Sequence, residues 1–243
     1  MSILCSIRSV LCDVLSLYMP RTCIVCGKEL DDTEDAVCLA CGFSMPRTGF
    51  AEIKENPLRR LFRNSLLVES AMALFWFVPG TDWRRLIHKF KYRGRWLFAR
   101  YMGEQMGAEM VASGNFDDID LVIPVPLHNY RRIVRGYNQA EMLSMGIART
   151  MGVEYDFSSV RRCRYNRSQT TKRRDERWGN TMGIFEVRNG EKLRGKHILL
   201  VDDVVTTGAT IGSCAEEILR ACDGDVRISV AALAVSRRVA ELG

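Results

Sequence analysis

The segment from Leu199 to Thr210 constrains the fold of this chain more than any other part of the sequence. An apolar run leads into two adjacent acids, Asp202 and Asp203, which are followed by small residues and then by a sequence that favours a helix. The apolar run is typical of a strand that is buried on both faces. In sheets whose parallel strands alternate with helices, ligands bind at the carboxyl ends of the strands. The sequence therefore predicts an α/β fold with a binding site at the two acids.

The loop after the two acids has the composition of a phosphate-binding loop. Its small side chains let backbone N–H groups approach a phosphate closely, and the start of the next helix adds further donors and a favourable dipole. The acids would repel a phosphate, so we expect them to hold sugar hydroxyls or a hydrated Mg²⁺. The alternative, an acid pair that only caps the next helix, leaves the loop unexplained. The candidate residues are Asp202, Asp203, Val204, Val205, Thr206, Thr207, Gly208, Ala209 and Thr210.

The rest of the chain supports a parallel sheet flanked by helices. The predicted strands are 66–78, 119–124, 196–201 and 226–233, and the predicted helices are 138–151, 209–221 and two within 82–112.

Two segments between these elements are predicted to be irregular. Residues 44–66 are polar and basic and contain two prolines, so we expect a connection. Residues 161–178 are predicted to form a loop, and eight of the residues from Arg161 to Arg177 are Lys or Arg. Such a charge run is either a solvated surface or a segment that binds an anion.

Four of the nine cysteines form two Cys-x-x-Cys pairs near the N-terminus, namely Cys23, Cys26, Cys38 and Cys41. Four thiolates at this spacing can close a tetrahedral zinc site with no open position, which indicates a structural metal. Gly27 and Gly42 follow the two pairs, and we expect both to adopt a positive φ in matching turns. Disulfides, a redox pair and an iron–sulfur cluster are the alternatives.

The first 20 residues carry an amphipathic pattern that is interrupted by Arg8 and Asp13, which argues against a secretory signal. We expect a short helix that packs on its own protein, with association at a membrane surface as the alternative. No run approaches the roughly 20 apolar residues of a membrane span. The formal net charge of +6 favours anionic partners without separating phosphates from nucleic acid. The other cysteines are expected to be reduced thiols in a cytoplasmic protein: Cys5, Cys12, Cys163, Cys214 and Cys222.

Over nearly its whole length, from Cys23 to Leu233, the chain resembles the ComF/GntX family, in which a zinc module precedes a type I phosphoribosyltransferase domain. The acid pair and its loop carry the most specific part of the resemblance. The other matching residues are Lys91–Gly94, Pro124–Leu127, Arg135–Glu141, Gln169, Arg177, Asn180, Gly183 and Phe185. The resemblance implies a zinc-ribbon-like module with an N-terminal helix at 1–50. A phosphoribosyltransferase domain would follow at 51–243, with its core at about 115–235.

The resemblance also implies roles for individual residues. Asp202 and Asp203 would bind the ribose hydroxyls of phosphoribosyl pyrophosphate (PRPP), and the loop to Thr210 would bind its 5-phosphate. Val125 and Pro126 lie where the family places its pyrophosphate loop. Residues 161–180 would close over PRPP, and the candidates for contacting pyrophosphate are Arg164, Gln169, Arg177 and Asn180. Arg177 joins the two acids as a candidate catalytic residue.

The implied activity is transfer of a 5-phosphoribosyl group from PRPP and Mg²⁺ to an acceptor, with release of pyrophosphate. The sequence identifies neither the acceptor nor a general base, although His128 is the nearest candidate for a base. The alternative function is that of a non-catalytic adaptor in competence and DNA uptake, which would bind DNA or a helicase-like partner. A third alternative is that PRPP or a nucleotide is bound only as a regulatory signal.

Overall fold

The computed structural model describes residues 21–63, 66–90, 96–128, 134, 136–163 and 184–242. Its helices are α1 (Leu39–Phe43), α2 (Pro57–Phe62), α3 (Asp82–Phe90), α4 (Trp96–Ser113), α5 (Gln139–Met151), α6 (Ala209–Ala221) and α7 (Arg238–Leu242). Its strands are β1 (Ala71–Phe77), β2 (Leu121–Pro124), β3 (Glu154–Tyr155), β4 (Val160–Arg162), β5 (Phe185–Val187), β6 (His197–Val205) and β7 (Arg227–Ser236).

A five-stranded parallel sheet in the order β1-β7-β6-β2-β3 forms the centre of the molecule. Alternate residues of β6 enter two separate cores, with Leu199 and Val201 on one side and Ile198 and Leu200 on the other. Helices α4 and α5 cover the first side, and α2 and α6 cover the second. The predicted parallel α/β sheet is thus confirmed.

Strand β6 is longer than the sequence predicts, because its neighbour continues beside it. The prediction ended this strand at residue 201, but pairing with β7 extends it through Asp202, which is opposite Ala232, to Val205, which is opposite Val235. The two acids therefore lie on the strand itself. A carboxylate on a hydrogen-bonded strand has fewer accessible positions than one on a loop, so its direction is better fixed.

The prediction of an irregular connection at 44–66 is wrong, since α2 lies within it. Asn56 caps this helix by accepting a hydrogen bond from Arg59 N at 3.0 Å, and Pro57 occupies the first helical position. Asn56 is 1% exposed, and its side-chain amide nitrogen lies within 3.1 Å of three backbone carbonyl oxygens, those of Phe50, Ile53 and Ala71, which share its two N–H donors. The cap therefore ties the helix to the start of β1.

Residues 21–45, which we call the cysteine module, are joined to the outer border of the sheet. The chain that leaves the module runs antiparallel to β1, where Thr48 N donates to Leu74 O at 3.2 Å and Trp76 N donates to Pro46 O at 2.8 Å. Buried residues of the module also share a core with side chains of α3 and α4, including Trp83. The division of the chain into 1–50 and 51–243 remains a prediction.

Within the described part of the chain, no helix combines the length and apolar character that crossing a bilayer requires. The predicted helix within residues 1–20 lies outside the described residues, as do Cys5 and Cys12. Cys214 and Cys222 are buried, and Cys163 is exposed.

Candidate functional site

The acid pair lies at the carboxyl end of β6, and both side chains are partly exposed. One oxygen of each carboxylate accepts a hydrogen bond from the next residue's backbone. Asp203 N donates to Asp202 Oδ1 at 2.8 Å, and Val204 N donates to Asp203 Oδ1 at 2.8 Å. These bonds orient both carboxylates at the sheet edge where ligands bind in parallel α/β folds.

The predicted phosphate loop surrounds a small hollow between β6 and the start of α6. The hollow has a volume of about 30 Å³ and is lined by Asp202, Val204, Val205, Thr206, Thr207, Gly208, Ala209, Thr210 and Ile211. Gly208 caps the 13-residue helix α6 with φ +73, a conformation that side-chain-bearing residues rarely adopt. The hollow has the N-terminus of α6 at one side, where backbone N–H groups and the helix dipole favour an anionic group.

Helix α2 supports this loop from behind. A Cβ placed on Gly208 would lie 2.9 Å from Leu61 Cδ2 and 2.9 Å from Phe62 Cε1. Phe62 is 1% exposed and therefore has little room to move. Helix α2, which lies in the segment predicted to be an irregular connection, thus sets the position of the predicted phosphate loop.

A larger cavity of about 130 Å³ adjoins the acid pair on the side of β2. It is lined by Val125, Pro126, Leu127, Asn138, Gln139, Ala140, Arg162, Asp202, Asp203, Val204 and Thr210. The N-terminus of α5 therefore borders this cavity, as that of α6 borders the small hollow. The two helix ends lie on either side of the acid pair.

Asn138 fixes the wall of the larger cavity. Its side-chain oxygen accepts from Ala140 N at 3.2 Å, which caps α5, and its amide donates to Val125 O at 3.2 Å. Asn138 is only 3% exposed. One buried side chain thus joins the predicted pyrophosphate loop to the helix beside it.

The structure brings together the predicted residues of the acid pair, of the phosphate loop and of the segment that contains Val125 and Pro126. Arg164, Gln169, Arg177 and Asn180 lie outside the described residues, so their roles remain predictions. His128 is described but does not line either space.

Four residues that line the larger cavity had no individual role in the sequence-based prediction: Asn138, Gln139, Ala140 and Arg162. Asn138 carried a usable signal, because Asn directly before a helical pattern is a capping residue. The predicted loop at 161–178 is wrong at its first two residues, because Arg161 and Arg162 belong to strand β4. This strand pairs with β5, which lies beyond the predicted loop and gives no local signal.

The four paired cysteines meet in one cluster. Their Sγ atoms all lie within 4.8 Å of one another, and those of Cys26 and Cys38 are 3.7 Å apart. Cys38 N also donates to Cys23 Sγ at 3.3 Å. Four converging sulfurs with backbone support form a donor set that is compatible with tetrahedral Zn²⁺.

The electrostatics of the cluster also suit a cation. Burial acts to raise the pKa of Cys23, but hydrogen bonds from Cys26, Cys38 and Val25 outweigh it and lower that pKa to about 7. Burial and the neighbouring thiols raise the pKa of Cys41. Close sulfurs cannot all become anionic unless a positive charge is placed among them.

The two cysteine pairs do not form matching turns, contrary to expectation. Gly27 has φ +81 after the first pair, whereas Gly42 lies inside α1 and has no positive φ. Only the first pair is followed by a left-handed turn, because a short helix replaces that turn after the second pair.

The acid pair by itself is not a cage for Mg²⁺. Among the described residues, the only group of three or more His, Cys, Asp or Glu side chains with converging ligand atoms is the cysteine cluster. Mg²⁺ commonly binds through one or two carboxylates together with phosphate oxygens and water. The two aspartates fit that pattern, and the remaining ligands would have to come from a bound phosphate compound and solvent.

Comparison with known proteins agrees with this geometry. The family model for the phosphoribosyl transferase domain matches residues 138–241. DNA utilization protein YhgH of Shigella flexneri is 30% identical over 201 residues, which is 82% of this chain and 84% of that protein. Competence protein ComFC of Bacillus subtilis is 26% identical over 82% of this chain and 78% of its own length. Competence protein F of Haemophilus influenzae is 27% identical over 54% of this chain and 59% of its own length.

The parallel sheet with its flanking helices has the type I phosphoribosyltransferase fold, and the cysteine cluster lies ahead of it in the chain. Together with the relatives above, these features show that the chain belongs to the ComF/GntX family.

Proposed function

We propose that this protein binds PRPP and transfers its 5-phosphoribosyl group to an acceptor. The proposal depends mainly on one observation, that two spaces bordered by helix N-termini flank the acid pair. A sugar carrying a phosphate at only one end would need just one of them. PRPP carries anionic groups at both ends of a ribose, so the arrangement fits PRPP better than ribose 5-phosphate.

In this proposal each part of the site contacts one part of the ligand. The loop at Thr206–Thr210 holds the 5-phosphate, and Asp202 and Asp203 hold the ribose hydroxyls. The larger cavity holds the pyrophosphate, next to Val125 and the start of α5. Bound Mg²⁺ would neutralise phosphate charge, with the carboxylates of the acid pair as its protein ligands.

The reaction breaks the bond between ribose C1 and pyrophosphate oxygen and forms a bond from C1 to the acceptor, which loses a proton. Positive charge develops on the ribose ring as pyrophosphate leaves. The fixed carboxylates of Asp202 and Asp203 would stabilise this charge, because their hydrogen bonds to Asp203 N and Val204 N already orient them. Catalysis would therefore be electrostatic, without a covalent intermediate.

Calorimetry with Mg²⁺ and PRPP tests the ligand assignment. The wild-type protein should bind PRPP, and a double variant with Asp202→Asn and Asp203→Asn should lose at least about tenfold in affinity because the charged acceptors of the ribose hydroxyls are gone. The variant Asp223→Asn is a control, since Asp223 is an exposed acid that pairs with Arg194 away from the site. Equal PRPP affinity of wild type and double variant would refute the assignment. Release of pyrophosphate with a panel of acceptors then tests transfer.

A second candidate function is DNA handling, which the names of the relatives suggest. One structural observation favours it. Tyr155 and Phe157 are 40% and 56% exposed, and their rings stack with centroids 5.9 Å apart. Exposed aromatic rings are platforms on which bases of single-stranded nucleic acids stack.

This second candidate predicts binding of single-stranded oligonucleotides that weakens as salt rises, because phosphate contacts release counterions. Replacing Tyr155 and Phe157 with Ala should reduce that affinity, while PRPP binding stays unchanged. Fluorescence anisotropy with a labelled oligonucleotide measures the effect. Equal oligonucleotide affinity in the wild-type protein and the double variant would exclude the ring pair as a base-stacking platform.

A further inference from the structure

Strand β4 contains two adjacent arginines, Arg161 and Arg162, whose side chains lie in different environments. Arg161 is exposed and lies opposite Glu186 of β5, to which its Nε donates at 2.7 Å. Arg162 is partly buried and lines the larger cavity together with both acids. Successive side chains of a strand point to opposite faces, so only Arg162 can serve the cavity.

The guanidinium of Arg162 is supported from one side. It lies 5.5 Å from the centroid of the Phe185 ring, and Phe185 is the residue paired with Arg162 in the two-stranded ribbon. Phe185 is itself buried at 4% exposure. Stacking on a buried ring restricts the positions that the long Arg side chain can adopt, so its charge is held in the wall of the cavity.

The charge of Arg162 also affects the pKa of a buried thiol, that of Cys214. Burial raises the pKa of Cys214, the Asp202 carboxylate raises it further, and the Arg162 guanidinium acts in the opposite direction. The Cys214 thiol therefore lies within electrostatic reach of both the acid and the cation.

We propose that Arg162 is an anchored anion-binding residue that makes the site specific for a diphosphate-bearing ribose over a singly phosphorylated one. The proposal rests on the proposed function, since it assigns Arg162 to the pyrophosphate of PRPP. A guanidinium suits this task because it can donate two parallel hydrogen bonds to phosphate oxygens. Since Arg162 is held on a paired strand, the cation is in place before the ligand arrives, which reduces the ordering cost of binding.

The test compares three ligands by calorimetry in the presence of Mg²⁺: PRPP, inorganic pyrophosphate and ribose 5-phosphate. The variant Arg162→Gln should bind PRPP and pyrophosphate at least about tenfold more weakly, since charge-assisted hydrogen bonds are lost, while its ribose 5-phosphate affinity changes less than about twofold. Arg162→Lys should recover part of the loss, because it keeps the charge but loses the paired donors. Arg161→Gln is the matched control and should bind all three ligands like the wild type.

The outcomes separate this proposal from the function on which it rests. If the wild-type protein does not bind PRPP, the proposed function fails together with the role of Arg162. If the wild-type protein binds PRPP and Arg162→Gln weakens PRPP and ribose 5-phosphate by the same factor, the role of Arg162 is overturned and the function stands. An equal loss would instead mean that the guanidinium positions the acid pair. Thermal unfolding of each variant identifies losses that come from misfolding.

Discussion

The contact between α2 and the predicted phosphate loop makes Gly208→Ala a sensitive probe of the candidate site. Two costs are expected. The first is conformational, because Gly208 has φ +73 and a left-handed Ala costs about 1–2 kcal/mol. The second is steric, because the new methyl group would lie 2.9 Å from both Leu61 and Phe62. Leu61 Cδ2 is the tip of a flexible side chain and can move, whereas the buried Phe62 ring cannot.

Overpacking of this kind adds about 1–3 kcal/mol. We therefore expect Gly208→Ala to lower the free energy of unfolding by about 2–5 kcal/mol. Gly195→Ala is the matched control, because Gly195 has φ +68 and a Cβ there would meet nothing within 4 Å. It should cost only the conformational part, about 1–2 kcal/mol.

Urea unfolding of the two variants at neutral pH measures both values. Adding Phe62→Leu to Gly208→Ala should give less destabilisation than the sum of the single changes, since the smaller side chain makes room for the methyl group. Equal destabilisation by Gly208→Ala and Gly195→Ala would refute the claim that α2 packs against the loop. PRPP affinity should fall in the Gly208 variant only.

Two further predictions concern the metal and the pH dependence of stability. The protein purified under reducing conditions should hold about one zinc per chain. The variant Cys38→Ser should lose this zinc, whereas the control variant Cys163→Ser should keep it. Elemental analysis of the wild type and the two variants tests this prediction. Burial lowers the pKa of His197 below its value of about 6.5 in unfolded chains, so the unfolded state takes up the proton first and stability should decline as pH falls below about 6.5. The variant His197→Gln should flatten this decline in urea unfolding between about pH 6.5 and 5.5. The same slope in the wild type and in His197→Gln would contradict the assignment.

Much of the central fold was predictable, because local patterns and long-range packing agree there. Helix α6 was expected at 209–221 and is found at Ala209–Ala221, since Gly208 ends the loop and the apolar residues recur at helical spacing. Helix α5 was predicted to begin at residue 138, where Asn138 proves to be its cap. The position of the acid pair at the carboxyl end of the sheet was predictable because the two acids follow a buried apolar run.

The failures arose where the partner of a segment lies far away in the sequence. Strand β6 continues past the acids only because β7 continues beside it. Strand β4 is three residues long and pairs with β5, so neither strand is recognisable alone. In α2 the signal was present, as Asn56-Pro57 is a capping residue followed by a first-turn proline, but polar composition outweighed it.

Residues 46–48, which directly follow the cysteine module, pair with β1 and so cover the free edge of the sheet. Every residue of β1 is apolar, from Ala71 to Phe77. An uncovered apolar border strand offers a row of backbone groups on which a second molecule can add a strand. If the segment at residues 46–48 moved away, self-association would be expected to start at this one strand.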